Sequence, residues 1–186
     1  GAALTPSFGA VTRTSDGFTT SVTNYDGSFT WGASATSGSA AIDGSGNITV
    51  TGVAAGASAT VTITTTKTNY TSGSATVAGT ALGAALTPSF GTVTQTADGF
   101  TVSTTNYDST FAWNFTTSAG TIVSAYQNGP KQYLITISTL APGASATVTG
   151  TATKTGYATG TGTVSGNAQT GAALTSTFAA PTSNAT

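Results

Sequence analysis

The chain has 186 residues, of which only 5 % are charged, a net charge of −1 at pH 7, and neither His nor Cys. Its acids are all aspartates, so zinc, haem and iron–sulfur sites lack their usual ligands, and no Ser-His-Asp or Cys-His relay can be assembled within it. Four basic residues, Arg13, Lys67, Lys131 and Lys154, are too few for a nucleic-acid surface, and no apolar run approaches the ~18 residues of a membrane span.

What remains is enough for a core. The chain is 38 % hydrophobic with a mean hydropathy of +0.12, unlike the charged, apolar-poor composition of disordered chains. Thr, Val, Ile and aromatic residues favour strands, and the 24 glycines favour turns. Helix formers are scarce, with Glu and Met absent. These residues predict an all-β protein that takes its solubility from hydroxyls and amides. That composition, with no Cys, points to an extracellular or cell-surface location. The chain opens on Gly1 rather than Met and shows no signal peptide, as expected of a fragment or processed product.

In chain order, the first segment is also the strongest signal, because it recurs. GAALTPSFG at residues 1–9 returns at 83–91, an offset of 82. The offset holds through DGF (Asp16, Asp98), TNYD (Asn24, Asn106) and the tryptophans Trp31 and Trp113. It then becomes 87, as GASATV at Gly56 matches Gly143 and TKTNY ending at Tyr70 matches TKTGY ending at Tyr157. The second repeat therefore carries an insertion between Trp113 and Gly143. A third copy opens with GAALTSTF at Gly171. The expected domains are 1–82, 83–170 with a hairpin insertion near 121–136, and 171–186 as the start of a third repeat.

Strands are expected in the first repeat at 4–12, 18–23, 29–35, 40–42, 47–51, 59–66 and 74–80, separated by turn residues. Alternation places Phe29, Trp31 and Ala33 on one face, and likewise Ile48 with Val50, Val61 with Ile63, and Ile135 with Ile137. Leu4, Phe8, Phe18 and Val77 join the predicted core with Leu86, Phe90, Phe100 and Val164. Trp31 and Trp113 are its expected aromatic anchors. The resulting fold class is two tandem seven-stranded antiparallel immunoglobulin-like β-sandwiches plus the first strand of a third repeat.

LAPGASATV at 140–148, the Trp after the NYD turn, and the tandem spacing carry a resemblance. The chain resembles tandem immunoglobulin-like or fibronectin-III-like repeats of large bacterial surface and secreted proteins. In the first repeat Val53 and Ala55 replace Leu140 and Pro142; both repeats have Ala (Ala59, Ala146) at the family's Tyr, and no Cys pair flanks the Trp. The resemblance implies spacing, display or adhesion, with no catalytic residue to carry over.

Five features invite a functional reading. Asp43, Ser45 and Asn47 alternate as calcium ligands do, but one acid is a poor charge count, and a Gly/Asn hairpin turn is the expected role. Lys67 with Asn24, and Lys154 with Asn106, are the residue types of a Lys–Asn cross-link, although a solvated Lys is the ordinary case. Alternating Thr in TVTITTTKT and TVTGTATKT resembles ice-binding arrays, against the plain expectation of a water-facing strand. In the insertion, Tyr126, Gln127, Lys131 and Tyr133 crowd a turn at Asn128-Gly129-Pro130 and form the candidate binding group for a glycan or protein. Leu174 and Phe178 repeat Leu4 and Phe8, and are candidate assembly residues in a strand that needs a partner.

The expected function is a structural spacer or fibre module forming a semi-rigid rod. The alternative is an adhesion or ligand-binding module using the 126–133 hairpin. The expected partners are neighbouring copies of itself or other repeats of the same chain, with no catalytic residue, metal, cofactor, nucleic acid or membrane insertion.

Overall fold

A computed structural model describes residues 1–171 of the chain. Leu174 and Phe178 lie outside the described residues. Fourteen strands and no helix are found among them. Within residues 1–82 lie β1 (Thr12–Thr14), β2 (Gly17–Ser21), β3 (Thr30–Ala35), β4 (Ser39–Ile42), β5 (Asn47–Thr51), β6 (Ser58–Thr66) and β7 (Gly73–Thr80). Within 83–170 lie β8 (Thr94–Thr96), β9 (Gly99–Ser103), β10 (Ala112–Thr117), β11 (Thr121–Gly129), β12 (Gln132–Ser138), β13 (Ser145–Thr153) and β14 (Gly160–Asn167).

Each sheet draws its strands from one repeat. The orders are β1-β2-β5-β4 and β3-β6-β7, then β11-β12-β9-β8 and β10-β13-β14. Lettered A to G in chain order, both repeats give ABED and CFG, the strand order of a constant-type immunoglobulin sandwich. The strand order itself therefore establishes the fold. By contact, the described residues divide into two compact units. The first holds Gly1–Thr87, Ser109–Asn114 and Thr151–Thr161; the second holds Pro88–Asp108, Phe115–Gly150 and 162–171.

The core of the first unit follows from strand alternation. Phe18, Ile48 and Val50 point inward from β2 and β5, and Ala59, Val61 and Ile63 from β6. Phe18 is fully buried and is its largest member. Its ring lies against bare backbone, since a Cβ at Gly79 of β7 would stand 2.4 Å from it. The second unit repeats the device with Phe100 and Gly166, at 2.7 Å. Burying such a ring contributes about 1.5–3 kcal/mol. Val53 and Leu140, at corresponding corners, close the two cores.

Two expectations need correction. Trp31 and Trp113 are only partly buried, so the anchors are Phe18 and Phe100. Trp31 stacks on Tyr25 at 5.0 Å and donates its Nε1–H to the Asp26 carbonyl, which holds it at the sandwich rim. The first strand is also shorter than 4–12 and begins at Thr12. Pro6 has no N–H to give a ladder. In its place Asn24 accepts from the Ser7 amide at 2.9 Å and donates to the Thr5 carbonyl at 2.8 Å. Phe8 keeps a single bridge to Val22, and the Leu4 carbonyl accepts from the buried Thr65 hydroxyl. In the second repeat Asn106 accepts from the Ser89 amide in the same way.

Candidate functional site

The segment 79–86, GTALGAAL, connects the two repeats. Ala81 donates to the Ala57 carbonyl and Leu82 to that of Thr14, at 2.9 and 2.8 Å, while the Leu82 carbonyl accepts from Gly56 at 3.0 Å. The next residue changes partner: Gly83 donates to Gly156 at 2.8 Å and accepts from Ala158 at 2.9 Å. Residue 82 is thus bonded to the first repeat and residue 83 to the second, with no free residue between. All of these groups lie in the first compact unit.

The Gly83 end of this joint is built by the TKTGY turn. Its residue Tyr157 covers Gly83, where a Cβ would stand 2.6 Å from the ring. Tyr157 meets Phe111 edge-on at 5.4 Å, and the Lys154 ammonium lies 4.7 Å and 5.0 Å from the two ring centroids. The first repeat has the same cluster. Phe29 and Tyr70 are 5.4 Å apart, and Lys67 lies 4.8 and 4.9 Å above them. Cation–π contact at this range contributes about 0.5–1 kcal/mol at exposed sites.

These lysines are not simply solvated. Lys67 Nζ donates to Ser28 Oγ at 2.8 Å and Lys154 Nζ to Thr110 Oγ1 at 3.1 Å. The Asn24 amide is engaged with Ser7 and Thr5 instead. The Ser28 backbone and side-chain donors hold the Asp26 carboxyl below its ordinary range, with a smaller contribution from Lys67.

Asp43 serves its own hairpin. Its carboxylate accepts from the Ser45 and Asn47 amides at 2.9 and 2.8 Å and from Asn47 Nδ2 at 2.9 Å. The Asn47 side chain, then the backbone donors, lower its pKa. Among the described residues no group of three or more His, Cys, Asp or Glu could hold a metal ion. The Thr runs form the central strand of each CFG sheet, with their threonines on the outward positions except for the buried Thr65.

The insertion lies in the β11–β12 hairpin, and its five residues can be placed. Val50 and Ile137 hold the same position in the ladder, opposite Phe18 and Phe100. Ile42 pairs with Ile48, and Ala125 with Ile135. Counted from these pairs, one extra residue makes the bulge at Val123 and four lengthen the hairpin beyond Ala125. The four candidate binding residues then separate. Tyr126 is 50 % exposed, and Gln127 and Lys131 are also exposed. Tyr133 is partly buried, stacked on Phe115 at 5.4 Å and tilted against Tyr107 at 5.2 Å, with its hydroxyl donating to the Ala125 carbonyl. Its backbone takes the place of Gly46, since Val22 donates to the Gly46 carbonyl and Thr104 to that of Tyr133. Tyr107 also donates to the Lys131 carbonyl at 2.8 Å, so the β12 side of the hairpin rests on the 104–107 loop.

No protein-family model matches the chain, and no curated protein matches it. Solved structures similar to it include a protocadherin gammaB7 EC3-6 cis-dimer, at 16 % identity over 83 % of this chain and 43 % of that one, with a TM-score of 0.31. Protocadherin gamma B2 extracellular cadherin domains 3–6 are 13 % identical over 88 % and 47 %, with a TM-score of 0.35. Protocadherin gamma B7 extracellular cadherin domains 1–4 are 15 % identical over 89 % and 46 %, with a TM-score of 0.28. The chain spans less than half the length of each of these structures. Likenesses at this level carry no argument, and the fold assignment stands on the sheet order.

Proposed function

We propose that this chain is a non-catalytic spacer or fibre module of an extracellular bacterial surface protein or filament, built from repeats of 82–88 residues. The observation that carries the reading is the joint. Leu82 and Gly83 are adjacent, and each has its amide and carbonyl bonded, one to each repeat. A flexible tether would show free Gly/Ser or Pro-rich chain at this point. A joint without slack makes a semi-rigid array, which is what a spacer or stalk requires. The low charge and the hydroxyl-rich strands fit an extracellular setting.

Limited proteolysis tests the joint. A broad-specificity protease at native pH should leave residues 79–86 uncut, as nicking concentrates at exposed, unbonded chain. Early cleavage there would contradict the reading.

A second reading, an adhesion or glycan- or protein-binding module, draws on the hairpin. In the second unit the exposed large hydrophobic residues among those described are Val123, at 57 %, and Tyr126, both on β11. Titration of neutral polysaccharides against the labelled chain should then shift resonances of Tyr126, Gln127 and Lys131 and leave Tyr70 unmoved. No shift on that hairpin would remove this reading.

A further inference from the structure

The opening segment of each repeat lies outside the strand ladders, and its partners fix its direction. In the first repeat the Gly1 amine donates to the Asn69 carbonyl and the Gly1 carbonyl accepts from Thr71, so Gly1 stands opposite Tyr70. Three residues on, the Leu4 carbonyl lies against the bare backbone of Gly73, where a Cβ would stand 2.1 Å from it. Residue and partner differ by 69 in number at both places. A constant difference means that the segment runs parallel to β7, the last strand of its repeat, since an antiparallel neighbour would hold the sum constant. The second repeat shows the same arrangement. Gly83 forms a parallel bridge to Tyr157, and Cβ atoms at Gly160 and Gly162 would each stand 2.0 Å from the carbonyl oxygens of Leu86 and Pro88.

The segment is held along its length. The buried Thr65 hydroxyl donates to the Leu4 carbonyl at 2.6 Å, and Asn24 holds Thr5 and Ser7. Beyond Ser7 the partners belong to the chain leaving β2. Thr23 donates to the Ser7 carbonyl at 2.8 Å and Gly9 to that of Ser21 at 2.9 Å, on either side of the Phe8–Val22 bridge. Residues 1–4 are thus bound beside the β3-β6-β7 sheet and residues 7–9 at the β2 end of the other sheet. One segment ties the two sheets together, and all of these residues belong to the first compact unit.

This direction decides how the repeat meets a pull. The chain enters the repeat at Gly1 and leaves β7 at Thr80. Tension draws the segment and β7 lengthwise past one another in opposite directions, so the bonds along the segment are strained together. An antiparallel pair would instead be opened from one end, one bond at a time. We propose that the opening segment is a shear clamp, and that the module bears tension along the array. This deepens the spacer reading and rests on it: load enters the sandwich through residues 1–9, and the core strands separate only after that segment slides free.

The test pulls on the full chain at constant force. The chain holds no Cys, so one introduced Cys gives a unique handle. The other handle is an extension at Gly1, a place that Gly83 shows can follow another residue with the same bonds. Thr80→Cys loads the segment in shear, whereas Ser72→Cys, beside the start of β7, peels it from the Gly1 end. At one force the first lengthening event should be about tenfold slower, or more, through Thr80→Cys than through Ser72→Cys. Adding Thr65→Val should speed the event through Thr80→Cys about fivefold, the loss of one hydrogen bond. Equal rates through the two handles would overturn the clamp, and that comparison alters no residue of the segment. A Thr80→Cys rate indifferent to Thr65→Val would overturn it as well. Both handles lie within the first repeat, so a flexible joint at 81–83, which would defeat the spacer reading, leaves these rates as they are.

Discussion

Phe18 and Phe100 carry more of the fold than either tryptophan. Each is fully buried and set into the gap left by a glycine on the facing sheet. Phe18→Ala or Phe100→Ala should cost about 3–5 kcal/mol in denaturant unfolding, the range for buried aromatic truncation. Gly79→Val should also destabilise, since its side chain would collide with the Phe18 ring. The tryptophans mislead at the level of sequence because size alone marks a candidate anchor, whereas the indole N–H of Trp31 needs an acceptor and finds it at the rim. Charge at this scale is local. Hydrogen bonds from Ser28 at Asp26, and from the Asn47 side chain and then the backbone at Asp43, hold both carboxyls below the ordinary aspartate range. A lowered native value means their contribution is present above the unfolded pKa and is lost as pH falls through the native one. Carboxyl titration by NMR should place both midpoints below the ordinary aspartate range, and Asn47→Ala should raise that of Asp43 toward it. An Asp43 midpoint unmoved by Asn47→Ala would contradict the assigned cause.

The strands were legible where side chains alternate, and less so where backbone partners decide. The expected 47–51 strand is β5 itself, and β3, β6 and β7 begin within one residue of expectation. The failure at the first strand has a physical source. Pro6 interrupts the ladder, and the side chain of Asn24, eighteen residues on, takes over its hydrogen bonds. A turn-like NYD motif gives no sign of that role. The hairpin insertion was legible as a change of offset, but only pairing divides it into a bulge at Val123 and a longer tip. Its two tyrosines consequently predict opposite behaviour. Tyr133→Ala should destabilise the chain by about 2 kcal/mol or more, as it removes two ring contacts and a hydroxyl bond. Tyr126→Ala should stay within about 0.5 kcal/mol, as surface substitutions do. Thermal unfolding of the two variants decides this, and equal losses would mean that Tyr126 is also structural.

For the whole molecule, the account depends on how one repeat hands over to the next. The sequence showed the absence of a linker, because GTALGAAL runs from the last strand of one repeat into the opening of another. It did not show that Leu82 and Gly83 divide their hydrogen bonds between the repeats, since Thr14, Gly56, Gly156 and Ala158 are far from the joint in sequence. The most direct measurement is of backbone ¹⁵N order parameters across residues 79–86 in the full chain. The account predicts values near 0.85 at Ala81, Leu82 and Gly83, the level of rigid backbone; values below about 0.6 there would show a swivelling tether and contradict it.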